Sequence, residues 1–310
     1  MTTTTAQPRN AIHPLGIIWR SLIVGVGYLI FTLGAGMLNT LLGVKIDITN
    51  IPMDYTQILI GTALAGIVIG LTLGPLSTRL RVPLVDRAVA LFLAIFMVST
   101  VLSTVEAVFF TTFVTSANLA ALPMQALTEA LLALLIAWLF PPATVTETLW
   151  QAIRATLAER SALSWTWRFV VAGLLYVPTY LFFGSLIAPI VTPYYTSLGL
   201  PLKIPPFSVM LPLEAGRGLL FALALFPLVA LLRGPRWRAA FWVGLTIAAL
   251  GGWAPMLGGF FLPTTLRLVH GAEITADSFV QGLTLVWLLG VGAWRTRPAR
   301  KPIAQAGKPV

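Results

Sequence analysis

The residues of this chain whose types and spacing bear on chemistry are charged and amide side chains set inside long apolar runs. Gln125 and Glu129 stand at i and i+4, on one helical face, and Asp277 and Gln281 repeat that spacing with acid and amide exchanged. Glu106 lies in a third apolar run and Arg217 in a fourth, with Glu214 three residues before Arg217. A charge inside a membrane span costs about 2.5–3.5 kcal/mol on insertion scales, so it is retained where a partner or a function holds it. Glu129, Arg217, Gln125, Glu106, Asp277 and Gln281 together have the make-up of a polar pocket for a substrate or ion. In such a pocket Glu129 forms the floor and carries a proton or cation, and Arg217 serves as its counter-ion and as the contact for an anionic group. The competing expectation is structural, with Glu129 and Arg217 tying helices together.

Other chemistries are disfavoured by what the chain lacks. It contains no cysteine, which excludes disulfides, thiolate metal sites and cysteine nucleophiles. No GxxxxGK[ST] loop and no GxSxG elbow occur. His270 and Glu273 are the remaining candidates for a metal or an acid–base pair. A metal site needs more ligands than these, and His13, the other histidine, falls on the opposite face, so no metal and no cofactor are expected.

These residues need long helices to position them. The 310 residues are 57% hydrophobic and 10% charged, far below the roughly 25% charged of soluble domains. About eight runs reach the roughly 20 helical residues that cross a bilayer: 21–42, 57–76, 88–113, 122–140, 169–191, 213–232, 239–262 and 278–294. The expected fold is therefore all-α, a polytopic helix bundle. With these spans, sixteen cations and three acids fall on one face and four cations and seven acids on the other. By the positive-inside rule both termini are cytoplasmic, in a plasma membrane of prokaryotic type. The net charge of +10 then belongs beside anionic headgroups, with no need for nucleic acid. At 1.5 Å per residue from the cytoplasmic ends, Glu129 lies about 17 Å deep, Gln281 about 21, Arg217 about 24, Asp277 about 27 and Glu106 about 28. This layer runs from just past the midplane to the outer interface.

The chain reads as two similar halves: 1–140, a cytoplasmic linker 141–168, 169–294, and a basic tail 295–310. Trp19 and Arg20 open the first span as Trp167 and Arg168 open the fifth, and Asp54 with Gln57 resembles Glu214 with Arg217. Arg79 and Arg81 match Arg233 and Arg236, and Gln125 with Glu129 matches Asp277 with Gln281. Four spans per half with a cytoplasmic linker imply a parallel repeat. In the linker, Pro141 and Pro142 end a run, Thr144 and Glu147 have capping-box spacing, and Leu149, Trp150, Ile153 and Leu157 line the apolar face of an amphipathic helix. Gly66, Gly70 and Gly74, and Gly244, Ala248 and Gly252, recur every fourth residue, as close helix packing in lipid requires. A proline-rich connection, 192–212, is expected to cap an outward cavity, and 263–277 to form a polar loop.

Three functions fit. The architecture points first to a secondary transporter or lipid-handling permease, with a small-molecule or lipid ligand entering a pocket from the extracytoplasmic side. A membrane enzyme acting on lipid, with Glu106 or Glu129 near His270, and a structural subunit of a homo-oligomer or membrane complex are the alternatives.

Overall fold

The structure, a computed structural model, describes residues 13–44, 54–112, 114, 119–196, 200–259 and 262–290. The described residues are helical apart from their connections and one antiparallel bridge between Thr111 and Leu202. Among the described residues seven helices are long and apolar enough to cross a membrane: α1 (Pro14–Leu41), α2 (Tyr55–Ser77), α3 (Leu84–Phe110), α4 (Leu122–Leu139), α6 (Ala162–Thr196), α7 (Phe207–Leu231) and α8 (Arg236–Gly258). A short helix, α5 (Leu149–Leu157), links the halves, and α9 (Thr264–Leu289) closes the bundle. Large apolar side chains such as Met37, Trp138, Leu163 and Leu186 lie exposed on the flanks. A surface of that kind belongs in lipid, and the chain is an integral membrane protein built as a helical bundle.

Several expected boundaries shift. The eighth apolar run is not a separate span at 278–294; α9 starts at Thr264, with Pro263 as its N-cap, and turns the expected polar loop into helix. The cap of α5 is Thr148, which accepts from Gln151 N at 3.2 Å while Gln151 returns the bond, so Thr144 and Glu147 play no capping part. Glu147 instead pairs with Arg233 at 2.5 Å. Helix α6 continues through Pro178, Pro189 and Pro193 to Thr196, well into the expected cap. The tail 295–310 lies outside the described residues.

Contacts sort the helix ends onto two faces. On one, Arg87 donates to Val82 O and Ala137 O, Ser77 donates to Phe140 O, and Arg79 lies 4.8 Å from the Trp242 ring. There too Arg160 donates to Leu288 O and Gly290 O, and Arg168 to Leu288 O, at the C-terminus of α9, where a helix dipole favours cations. Burial, then the charges of Arg168 and Arg236, push the Arg160 pKa down from its usual value. Many arginines expected to meet headgroups are thus spent on carbonyls and rings within the protein. On the opposite face the end of α3 approaches the 200–203 segment, and the end of α6 approaches the start of α9.

Helix α1 packs on α2 and α4, and α3 packs on α4; α6 packs on α7 and α9, and α8 packs on α9. The halves meet where α3 touches α7, α2 touches the end of α8, and two π-helical segments, Phe96–Leu102 in α3 and Ala248–Trp253 in α8, come together. The glycine stripes face inward. A side chain at Gly66 would strike Gly25 and Tyr28, and one at Gly218 would strike Gly173 and Tyr176. Gly74 receives the Phe140 ring, and Gly244 lies against Phe279. Leu73, Leu91, Ile95, Leu132, Ile136 and Leu225 complete the buried core.

Candidate functional site

Arg217 organises the polar interior. On α7 its side chain points back toward Glu214, three residues earlier on the same face, and its Nη1 donates to Glu214 Oε2 at 2.8 Å and Oε1 at 3.0 Å. Its Nη2 reaches across to α3 and donates to Glu106 Oε2 at 2.5 Å. The guanidinium also lies 5.9 Å from the Tyr176 ring on α6. Glu214 is 0% exposed, whereas the Glu106 side chain is 37% exposed, so the pair runs from the interior to the rim.

Helix α9 brings a second cluster to the same place. His270, Glu273 and Asp277 fall at i, i+3 and i+7, one face of the helix. His270 Nδ1 is 2.8 Å from Glu273 Oε2, and its Nε2 is 3.3 Å from the Tyr195 hydroxyl at the end of α6. Among the described residues Asp277, 4% exposed, has the Ser278 hydroxyl, donating at 3.4 Å, as its one hydrogen-bond partner, and no cation within ion-pair distance.

These groups surround a cavity of about 60 Å³, lined by Glu106, Arg217, His270, Glu273, Asp277 and aromatic rings. A larger, mainly apolar groove of about 320 Å³ adjoins it, walled by Leu181, Gly184, Ile187, Val191, Phe207 and Met210 among others. Phe110, Tyr180, Tyr195, His270 and Glu273 line both. The two volumes have these five residues in common, the smaller one polar and set between α3, α6, α7, α8 and α9, the larger one apolar and set between α3, α6, α7 and α9. Measured along their helices from the arginine-poor ends, Glu106 lies about 6 Å in, Arg217 about 15 Å and Asp277 about 20 Å.

Of the residues singled out in the sequence, Glu106, Arg217 and Asp277 are brought together here. Glu129 is not. It is 2% exposed, accepts from Thr100 Oγ1 at 2.6 Å on the π segment of α3, and leaves Oε2 without a partner among the described residues. It lines neither volume and does not meet Arg217. Gln125 is exposed in the first turn of α4. Gln281 is 0% exposed, one turn beyond Asp277, and neither of its amide atoms has a hydrogen-bond partner among the described residues.

Glu214 was not among the expected pocket residues, and His270 and Glu273 were expected on a loop rather than on α9. The signal that would have found them is their helical spacing with neighbours: Glu214 with Arg217, and His270 with Glu273 and Asp277. Tyr176, Tyr180 and Tyr195 carried no signal, since tyrosines near span ends commonly serve as interfacial anchors. Among the described residues no group of three metal-ligating side chains is in reach of one ion. No protein-family profile, curated protein or solved structure matches the chain.

Proposed function

We propose that the protein is a permease for an amphiphilic ligand, a transporter or lipid-handling protein that admits the ligand to the cleft from the extracytoplasmic side. The observation that carries this is the wall of Phe110, Tyr180, Tyr195, His270 and Glu273 common to a polar cavity and an apolar groove, which we take as the two ends of one cleft. A cleft of that kind can accept a headgroup at one end and a chain at the other. Glu106, Arg217 and Asp277 keep their proposed place in the pocket. Glu129 moves from carrier to buried partner of Thr100, and Gln125 and Gln281 leave the ligand's surroundings.

In this proposal the arginine-rich ends and both termini are cytoplasmic, following the positive-inside rule. The units 1–140 and 169–294 are parallel repeats about the linker 141–168, related by an axis along the membrane normal. Support comes from a shift of 152 residues, which carries Tyr55 to Phe207, Gly66 to Gly218, Pro75 to Pro227, Leu84 to Arg236 and the π segment at Phe96 to that at Ala248. Each half repeats the same packing, first helix on second and fourth and third on fourth, with Gly25 on Gly66 answered by Gly173 on Gly218. On this register Arg217 faces Ala65 and Glu214 faces Thr62. The charged site is thus confined to one half, and the likeness of Glu214 and Arg217 to Asp54 and Gln57 is given up.

The inward-facing glycines and the cleft argue against a purely structural subunit. A second reading, a lipid-modifying enzyme, draws on the His270–Glu273 contact at 2.8 Å, which has the geometry of an acid–base pair. Proteoliposomes loaded asymmetrically with nitrobenzoxadiazole-labelled single-chain amphiphiles separate the two. Transport predicts faster loss of dithionite protection than in empty vesicles, and slowing by Gly184→Leu in the groove. Equal rates with and without protein would overturn the permease. Covalently altered amphiphile in the mass spectrum would establish the enzyme instead.

A further inference from the structure

We infer that the polar end of the cleft recognises a primary ammonium group on a single-chain amphiphile that bears no phosphate, a substrate class that rests on the cleft proposed above. The carboxylates facing the cavity or its arginine are Glu106, Glu214, Glu273 and Asp277, against one guanidinium, Arg217, and one imidazole, His270. Arg217 is already engaged by Glu106 and Glu214, and Glu273 by His270. That leaves Asp277, buried in the wall of the cavity and without an ion pair of its own among the described residues. An entering ammonium supplies the missing counter-charge.

The second, independent observation is aromatic. Phe110, Tyr176, Tyr180, Tyr195 and Phe221 line the same small cavity. Aromatic faces attract cations through their quadrupoles and stabilise them most where water is displaced. They give no such help to a phosphate or a carboxylate, which the surrounding acids repel.

The small cavity, about 60 Å³, suits a compact group. A primary ammonium brings three N–H donors to its carboxylates, whereas a trimethylammonium is larger and brings none. The adjoining groove, about 320 Å³, takes the alkyl chain past Leu181, Ile187 and Val191.

The test is binding, measured by calorimetry on the full chain in nanodiscs, with dodecylamine, dodecyltrimethylammonium, dodecanol, laurate and a single-chain phosphoethanolamine lipid. Dodecylamine is expected to bind at least about ten-fold more tightly than each of the others, the size of one charge-assisted hydrogen bond. Asp277→Asn should remove that advantage and leave dodecanol unchanged. Should that variant fail to accumulate, Gly184→Leu serves instead. A Cβ at this position meets only Glu273 Oε1, at 3.6 Å, so the helix tolerates it while the added side chain fills the groove and weakens dodecylamine about ten-fold. Equal binding of dodecanol and dodecylamine, or tighter binding of the quaternary or phosphate-bearing probe, would overturn the inference. Binding with this preference but no flux would defeat the permease and leave the amine site standing. Flux without amine preference would do the reverse.

Discussion

Replacing Arg217 with methionine tests how the interior charges are shared. The guanidinium donates two bonds to Glu214, at 2.8 and 3.0 Å, and one to Glu106 at 2.5 Å. Glu214 has no exposed surface, so Arg217→Met leaves a carboxylate in the interior with nothing to compensate it. Removing one partner of a buried pair costs about 3–5 kcal/mol. Glu106 has a 37% exposed side chain and can turn to water, so its bond behaves as a surface pair of about 0–1 kcal/mol. Arg217→Met should therefore destabilise by about 3–4 kcal/mol, and Glu106→Gln by less than about 1 kcal/mol. The double variant Arg217→Met, Glu214→Gln should recover about 2 kcal/mol of the loss, because the buried charge goes with its partner. Equilibrium unfolding in mixed dodecyl maltoside and dodecyl sulfate micelles measures all three. Equal costs for Arg217→Met and Glu106→Gln, or a double variant no better than the sum of its parts, would refute this sharing of charge.

Other substitutions follow from the same packing. Gly218→Val should abolish accumulation of folded protein, since a Cβ there lies 2.5 Å from Gly173 O, whereas Gly216→Ala, with nothing within 4 Å, should be neutral or slightly stabilising in expression and melting assays. Gln281→Leu should stabilise by about 1–3 kcal/mol in the same unfolding measurement, because it removes two buried amide atoms that lack partners. Arg160→Met should cost about 1–2 kcal/mol and raise hydrogen exchange at the end of α9, where the Gly290 carbonyl loses its side-chain donor while Leu288 O keeps Arg168.

The spans were legible because lipid leaves few options: a run of about 20 apolar residues must be a helix that satisfies its own backbone. That logic failed at α9 for a physical reason. Arg267, His270, Glu273 and Asp277 lower the average hydropathy of its first half, yet the last three sit on one face turned into the cleft while the opposite faces stay apolar. A polar stripe of period 3.6 reads as a loop when only the mean is weighed. Depth placed Arg217 and Glu106 in one layer, but the counter-ion expected for Arg217 was Glu129, and its partners are Glu106 and Glu214 instead. Glu129 shows the limit of depth as a guide, since distance along a helix says nothing of direction around it. Its neighbour Thr100 sits in a π segment, whose extra residue per turn resets which side chains face inward. Gln125, one turn earlier on the same face, is exposed because it lies in the first turn of α4, at the end of the helix. The capping box moved by one turn because Thr148 and Gln151 bracket the first residue of α5, whereas Thr144 lies outside it.

The central claim is that a cleft between α3, α6, α7 and α9 opens to the arginine-poor face and reaches Asp277. The chain has no cysteine, so a single introduced thiol reports without background. Ser103 lines the polar cavity, while Thr128, buried beside Glu129, lines neither volume. In oriented vesicles, 2-aminoethyl methanethiosulfonate should modify Ser103→Cys from the arginine-poor face only, more slowly in the presence of dodecylamine, and should leave Thr128→Cys untouched. An unreactive Ser103→Cys, or one modified solely from the arginine-rich face, would contradict the account.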